Sequence, residues 1–309
     1  MISFAAKVKG EVIRQERTEG EYKATLAALL QFLSTIQINS DGLSMIIKTE
    51  NSELARMILS LLKDFYQVKT ELAMIQKVKL RKNHIYVIKV LDKTKVILSD
   101  LGIWTEEGLL SHPKRSLTKK TEMARAYLAG CFLAAGSVND PKKPDYHLEI
   151  AGNDKSLAGY IVSIMKQLNM PAKMIKRRNQ YVVYLKSADL INDFLAHIGA
   201  QDAAFAYADI KIRRDYYNSV TRLENCETAN VVKSIVAGEK QLDDIEKLKQ
   251  NNRLEKLDPK LRDVAELRLE YPEASLNELA DKYYAKTGYS LSKSGMKHRL
   301  SKLSSLAQQ

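Results

Sequence analysis

Ser294, Lys297, His298 and Ser301 follow one another at steps of three, one and three residues near the carboxy terminus. On an α-helix, at about 100° per residue, such steps gather all four on one face. Hydroxyls, an ammonium and an imidazole side by side can donate and accept hydrogen bonds at base edges in a major groove. Lys293, Arg299 and Lys302 flank them, and cations so placed suit phosphates, where they release counterions and fix register on a duplex. Met296, Leu300 and Leu303 fall on the opposite face and would anchor the helix to a small core. Ser292 stands where a serine caps a helix amino terminus. No Asp or Glu occurs from Lys282 to Gln309, a stretch that also holds Lys282 and Lys286. Double-stranded DNA is the expected partner. The pattern alone also fits a helix that is merely well solvated.

Three other groups of residues bear charge that could do chemistry. Lys77, Lys79, Arg81 and Lys82, and again Lys173, Lys176, Arg177 and Arg178, surround two hairpin tips. Lys211, Arg213, Arg214 and Arg222 are interleaved with Tyr216 and Tyr217. Lys79, Arg81, Lys82, Lys176, Arg177, Arg178, Arg213 and Arg214 are candidate nucleic-acid contacts; a solubilising rim and a structural connector are the alternatives. Lys and Arg number 49 against 37 Asp and Glu, a formal net charge of +12, which points to an anionic partner. The two cysteines, Cys131 and Cys226, exclude a disulfide framework and a cysteine-rich zinc site. Cys226 has no histidine near it in sequence and reads as a small buried residue. The five histidines show no metal-binding spacing. No catalytic residue, metal ligand or cofactor is expected. Met1–Gly10 lacks the apolar core of a signal peptide, and the longest nearly apolar run, Tyr127–Gly136, is about half a membrane span. A cytoplasmic, nucleoid-associated protein without membrane contact is the expectation.

The elements that must hold these residues come in duplicate. Leu54-Ala55-x-x-Ile58 recurs as Leu157-Ala158-x-x-Ile161, Arg81-Lys82-Asn83 as Arg177-Arg178-Asn179, and Leu26-Ala27-Ala28 as Leu128-Ala129-Gly130, at offsets of 103, 96 and 102 residues. A period that long means two copies of a small domain. Each copy reads as an apolar helix (Tyr22–Ser34; Glu122–Ala135), a strand pair ending in Leu43–Lys48 or His147–Ala151, and an amphipathic helix around Leu54–Leu62 or Leu157–Leu168. A hairpin follows, with Asn83 or Asn179 at a left-handed tip and return strands Ile85–Leu91 or Tyr181–Leu185, then a last helix (Lys95–Leu101; Ala188–Ile198). The fold class is α+β: two αββαββα units, whose small-residue opening helices form the seam of a saddle, followed by an all-α module. Residues 1–110 and 111–200 make the repeats, 201–258 a basic linker and long helix, and 259–309 a helix-turn-helix domain. Within the linker, Asn225 or Thr228 can cap a helix that Gly238 bends or weakens. In the last domain, Leu261–Glu270 is amphipathic, Ser275-Leu276-Asn277-Glu278 is a capping box, and Gly295 suggests close approach to a backbone.

Leu128-Ala129-Gly130-Cys131-Phe132-Leu133-Ala134-Ala135-Gly136 resembles the LAGLIDADG helix of homing endonucleases, whose architecture is this pseudo-twofold repeat. In those enzymes the eighth position is an acidic metal ligand. Here it is Ala135 in one copy and Leu33 in the other, and the sixth positions are Leu133 and Gln31. Methyl and isobutyl groups cannot ligate a hard cation that wants oxygen. A DNA-gripping saddle without catalysis is implied. A metal-dependent endonuclease using Asp140 or Glu149, and a saddle that binds RNA or protein, are the rivals.

Ala134-Ala135-Gly136-Ser137-Val138-Asn139-Asp140-Pro141, His147-Leu148-Glu149-Ile150, Tyr181-Val182-Val183-Tyr184-Leu185-Lys186, Asn225-Cys226-Glu227-Thr228-Ala229-Asn230 and Ser292–Leu300 resemble the WhiA family, and the match runs from Ser3 to the last helix. That resemblance implies a catalytically inactive, sequence-specific transcription regulator tied to cell division, sporulation or chromosome organisation in a Gram-positive bacterium. The chain departs from the family's usual pattern at Leu33-Ser34, where Ser-Gly is common, and at Lys297, where Asn is frequent. The terminal module also resembles the helix-turn-helix by which sigma factors read promoters, which admits RNA polymerase or another regulator as a partner.

Overall fold

The computed structural model describes residues 2–39, 42–76 and 84–309. The chain divides between Arg214 and Asp215 into two units. In the first, α1 (Phe4–Arg14) starts from Ser3, whose hydroxyl accepts the Ala6 N–H at 3.2 Å. Thr18 and Glu21 form a capping box that opens α2 (Glu19–Leu33). There follow β1 (Ser34–Asn39), β2 (Gly42–Thr49), α3 (Ser52–Tyr66), β3 (Thr70–Gln76), β4 (His84–Val90) and α4 (Thr94–Asp100). A short hairpin, β5 (Trp104–Thr105) and β6 (Gly108–Leu109), leads to the second copy. Its elements are α5 (Thr121–Ala135), β7 (Gly136–Val138), β8 (Leu148–Gly152), α6 (Lys155–Gln167), β9 (Lys173–Arg177), β10 (Gln180–Leu185) and α7 (Ala188–His197). The antiparallel sheets run β1-β2-β4-β3 and β7-β8-β10-β9, the same order twice. The duplicated αββαββα unit is therefore the fold, with α1 and the β5–β6 hairpin as additions that the repeats did not announce.

Small residues set the seam between the copies. A Cβ on Gly130 would lie 2.4 Å from the Thr25 carbonyl oxygen and 2.7 Å from the Ala28 Cβ, so α2 and α5 touch backbone to backbone. The Thr25 hydroxyl donates across the seam to the Ala126 carbonyl at 3.0 Å. Alternation on the strands buries Met45, Ile47, Ile88 and Val90 in one sheet and Leu148, Ile150, Val183 and Leu185 in the other. The hairpin tip differs from the expectation in one residue: the left-handed backbone is at Arg178, with φ 55°, and not at Asn179.

Helix α8 (Gln201–Gln250) is continuous over 50 residues. It starts from Gln201, where the Glu11 carboxylate accepts the N–H groups of Asp202 and Ala203 at 2.6 and 3.1 Å. The helix start expected at Asn225–Thr228 is thus overridden, since strong helix formers on both sides outweigh a weak capping signal. Gly238 does not break it, because a glycine inside a helix costs only about 1 kcal/mol. Cys226, expected buried, is exposed on this helix.

In the second unit, α9 (Pro259–Glu270), α10 (Leu276–Thr287) and α11 (Lys293–Ala307) close a core of Leu261, Val264, Leu279, Tyr283, Met296, Leu300 and Leu303, joined by Ile245 and Leu248 from α8. The expected capping box is present: Ser275 and Glu278 each accept the other's backbone N–H, at 3.3 and 2.7 Å. Among the described residues no helix is long and apolar enough to cross a membrane.

Candidate nucleic-acid interface

Helix α10 ends at Gly288, whose φ of 74° a side-chain-bearing residue rarely adopts. Residues 288–292 turn the chain, and Ser292 then caps α11 by accepting the Gly295 N–H at 3.1 Å. Gly295 serves packing here and not approach to a ligand, because a Cβ would stand 2.7 Å from the Leu291 Cδ1. With Met296, Leu300 and Leu303 buried, the helix cannot roll, and its other face is committed to solvent.

That face holds what the sequence placed on it. Lys293, Ser294, Lys297, His298, Ser301 and Lys302 are all exposed. The Ser294 hydroxyl lies 3.0 Å from that of Ser292, which fixes it beside the cap. Arg299 is placed differently. It is half-buried, its guanidinium stacked 4.9 Å from the centre of the Tyr283 ring, with one Nη buried and lacking a partner. Two other cations also turn inward. Lys282 sits 3.5 Å over the Tyr271 ring. Lys286 bonds Glu266 at 2.6 Å and lies 3.7 Å from Asp263, contacts that raise its pKa. The outward charge of the helix therefore comes from Lys293, Lys297 and Lys302.

Among the described residues of the saddle, three of the candidate arginines are engaged within their own fold. Lys77, Lys79, Arg81, Lys82 and Asn83 lie outside the described residues. Lys176 is exposed with its ammonium 5.9 Å over Tyr181, and Arg178 is exposed at the tip. Arg177 pairs with Glu149 at 3.1 Å, and His147 meets the same carboxylate at 3.1 Å. Burial would raise the Glu149 pKa, but the bonds from His147 and Arg177 outweigh it and hold the carboxyl low. Arg213 pairs with Asp209 at 3.1 Å. Arg214 is committed to its own fold: it donates to the carbonyls of Lys143 and Pro144 at 2.9 and 2.6 Å and lies 4.9 Å over Tyr146.

Register sorts the remaining saddle residues. Opposite the core, the first sheet presents Ile46, Lys48, Ala73, Ile75, Ile85, Val87 and an ion pair, Lys89 with Glu71 at 4.0 Å. The second presents Glu149, Ala151, Lys173, Ile175, Arg177, Gln180, Val182 and Tyr184. Val87 and Val182 are buried yet stand outside the main core, shielded by neighbours on this outer face. Composition could not reveal that; the pairing register does.

Where a LAGLIDADG nuclease keeps its acids, the helices end in Leu33 and Ala135. Gln31 accepts from the Tyr127 hydroxyl at 2.6 Å and donates to the Ser111 carbonyl at 3.2 Å, which makes it a structural tie. Asp140 accepts the Lys142 N–H at 2.9 Å within its turn. Among the described residues no group of three or more His, Cys, Asp or Glu side chains could hold a metal ion.

Three family models match in succession: the WhiA N-terminal LAGLIDADG-like domain over residues 19–104, the WhiA LAGLIDADG-like domain over 124–217, and the WhiA C-terminal HTH domain over 220–307. A protein of Latilactobacillus sakei named "Probable cell division protein WhiA" is 42% identical over the whole of this chain and 98% of its own length. A Staphylococcus aureus protein of the same name is 39% identical, covering 99% of this chain and 96% of that one. Among solved structures, full-length DUF199/WhiA from Thermatoga maritima aligns over all of this chain and 98% of that one, at 23% identity and a TM-score of 0.57. The N-terminal LAGLIDADG domain of DUF199/WhiA covers 65% of this chain and 92% of its own, at 19% identity and a TM-score of 0.51. These two likenesses concern the fold.

Proposed function

The chain belongs to the WhiA family, and on that footing we propose that it is a non-enzymatic, sequence-specific DNA-binding regulator of transcription that acts in cell division. One observation carries the proposal: α11 is locked by its buried stripe so that Ser294, Lys297, His298 and Ser301 face outward together, beside Lys293 and Lys302. A capped helix with that face fits a major groove, its amino-terminal half at base edges and its cations on phosphates. Arg299 contributes by buttressing α10 through Tyr283. The cell-division role follows the names of the relatives; a role in sporulation, RNA polymerase or another regulator as partner, and residence on the nucleoid in the cytoplasm extend the same reading. Catalysis is disfavoured because the side chains of Leu33 and Ala135 offer no carboxylate to a metal.

Fluorescence anisotropy on the full chain, against its selected DNA site and scrambled duplexes, tests this. Lys297→Ala should cost about 1–3 kcal/mol on the selected site and little on scrambled DNA, whereas Lys302→Ala should weaken both alike and flatten the salt slope by about one. Affinity that is unmoved between low and high salt would refute phosphate binding by this helix.

A second reading is favoured for the saddle. Among the described residues its outer sheet faces expose Ile75 and Ile175 beside two ion pairs, Lys89 with Glu71 and Arg177 with Glu149, and two further lysines, Lys48 and Lys173; the apolar side chains and the paired charges suit a protein surface. Lys176, Arg178 and Arg213 remain candidate DNA contacts at the periphery. Competition with duplex DNA by the residue 1–200 segment distinguishes the two uses.

A further inference from the structure

Within the second unit, Tyr216 and Leu223 of α8, seven residues apart on one face, each leave 66% of their surface in water. Large apolar side chains gathered on one helix mark a contact surface. Tyr216, Ser219, Leu223, Cys226 and Asn230 follow at steps of three, four, three and four residues, and all five are exposed. That alternation holds one seam in register every seven residues, the repeat by which two helices wrap around each other. Tyr216, Leu223 and Asn230 occupy one of the two seam positions, and Ser219 and Cys226 the other. A helix this long, with a seam unfilled by its own unit, is built for a second helix.

We propose that the occupant is the same segment of a second copy of this chain, parallel and in register. Asn230 selects that arrangement, since a lone asparagine at its seam position pairs with its twin and specifies two parallel strands. Charge selects it again. Arg222 and Glu227 flank the seam on opposite sides, five residues apart, so that in a parallel pair each arginine faces the other copy's glutamate. Within its own chain Arg222 instead donates to the Asn218 carbonyl at 3.1 Å. Ser219 and Cys226 are small, which lets the two backbones approach. Five seam residues spread over fifteen positions make a weak contact, so the dimer forms at high concentration or on DNA that carries two half-sites, where two copies of α11 would act together. This inference stands whether or not α11 reads DNA.

The cysteines supply the test. Cys131 is fully buried and burial drives its pKa up, leaving Cys226 as the accessible thiol of the two. A short bismaleimide applied to the full chain should yield a covalent dimer that vanishes in Cys226→Ser. Leu223→Glu should reduce cross-linking to background and give the mass of one chain in sedimentation, with helix content unchanged by circular dichroism. Arg222→Glu should weaken the dimer, and adding Glu227→Arg should restore it. A single-chain mass at every concentration, while Cys226 still reacts fully with a monofunctional maleimide, would overturn the proposal. So would a dimeric mass without a Cys226 cross-link, or a charge swap that restores nothing, because either contradicts the parallel register.

Discussion

Glu149 shows how one residue can carry a surface's character. It stands on the outer face of the second sheet, its side chain about one-fifth exposed, between His147 and Arg177. Desolvation opposes its charge, and the two donors more than compensate, so its pKa is depressed. A depressed carboxyl contributes stability above its unfolded pKa and loses it as pH falls through the folded value. Glu149→Gln should therefore destabilise the first unit at neutral pH, and the difference from the unsubstituted chain should shrink toward zero in acid. Chemical denaturation at neutral pH and at pH about 3 reads this directly; an undiminished difference at the lower pH would mean that packing, not charge, is what the substitution removes. Arg268 gives the contrasting case. In sequence it is one more helix cation, yet it is 3% exposed and donates to the Pro272 and Ala274 carbonyls at 3.1 and 2.7 Å. Nothing in its spacing distinguishes it from a solvated arginine, because the carbonyls that it serves belong to the turn after its own helix.

The α2–α5 seam is where sequence and structure agree most closely. Small residues recur at matching positions of the two copies, and Gly130 meets Thr25 and Ala28 at distances that no side chain tolerates. Gly130→Ala should push the helices apart and cost on the order of 1–3 kcal/mol, the usual range for overpacking, despite alanine's better helix propensity. A thermal melt that instead rises would show that the seam yields freely. The periodicities that placed α3, α6 and the caps at Ser275 and Ser292 work because each depends on residues within one turn. Longer-range facts escaped the sequence. Helix α1 holds Val8 and Val12 against a core assembled from both repeats, and α8 begins where Glu11, about 190 residues upstream, caps it. Cys226 looked like a buried residue because its neighbours did not reveal that α8 runs through solvent there. The positive φ fell to Arg178 because the pairing of Gln180 with Arg177 fixes the turn, whatever asparagine prefers.

At the scale of the whole molecule, two cores share no residue. One gathers side chains from Val8 to Tyr207 and the other from Ile245 to Leu303. Cooperative unfolding spreads through shared packing, and a chain with separate cores departs from two-state behaviour. Calorimetry should therefore resolve two transitions. Leu300→Ala, which removes a fully buried side chain from the smaller core, should cost about 2–5 kcal/mol there and lower one transition while leaving the other in place. Leu128→Ala should do the reverse, because Leu128 lies in the saddle core. At about 4–8 °C per kcal/mol for a unit of this size, the smaller core's shift is large enough to separate overlapping peaks. A single transition moved equally by both substitutions would mean that α8 transmits stability from one core to the other. In that case the terminal helix-turn-helix could not be regarded as an independent reader of DNA, and binding by α11 would have to be measured against the folding of the saddle.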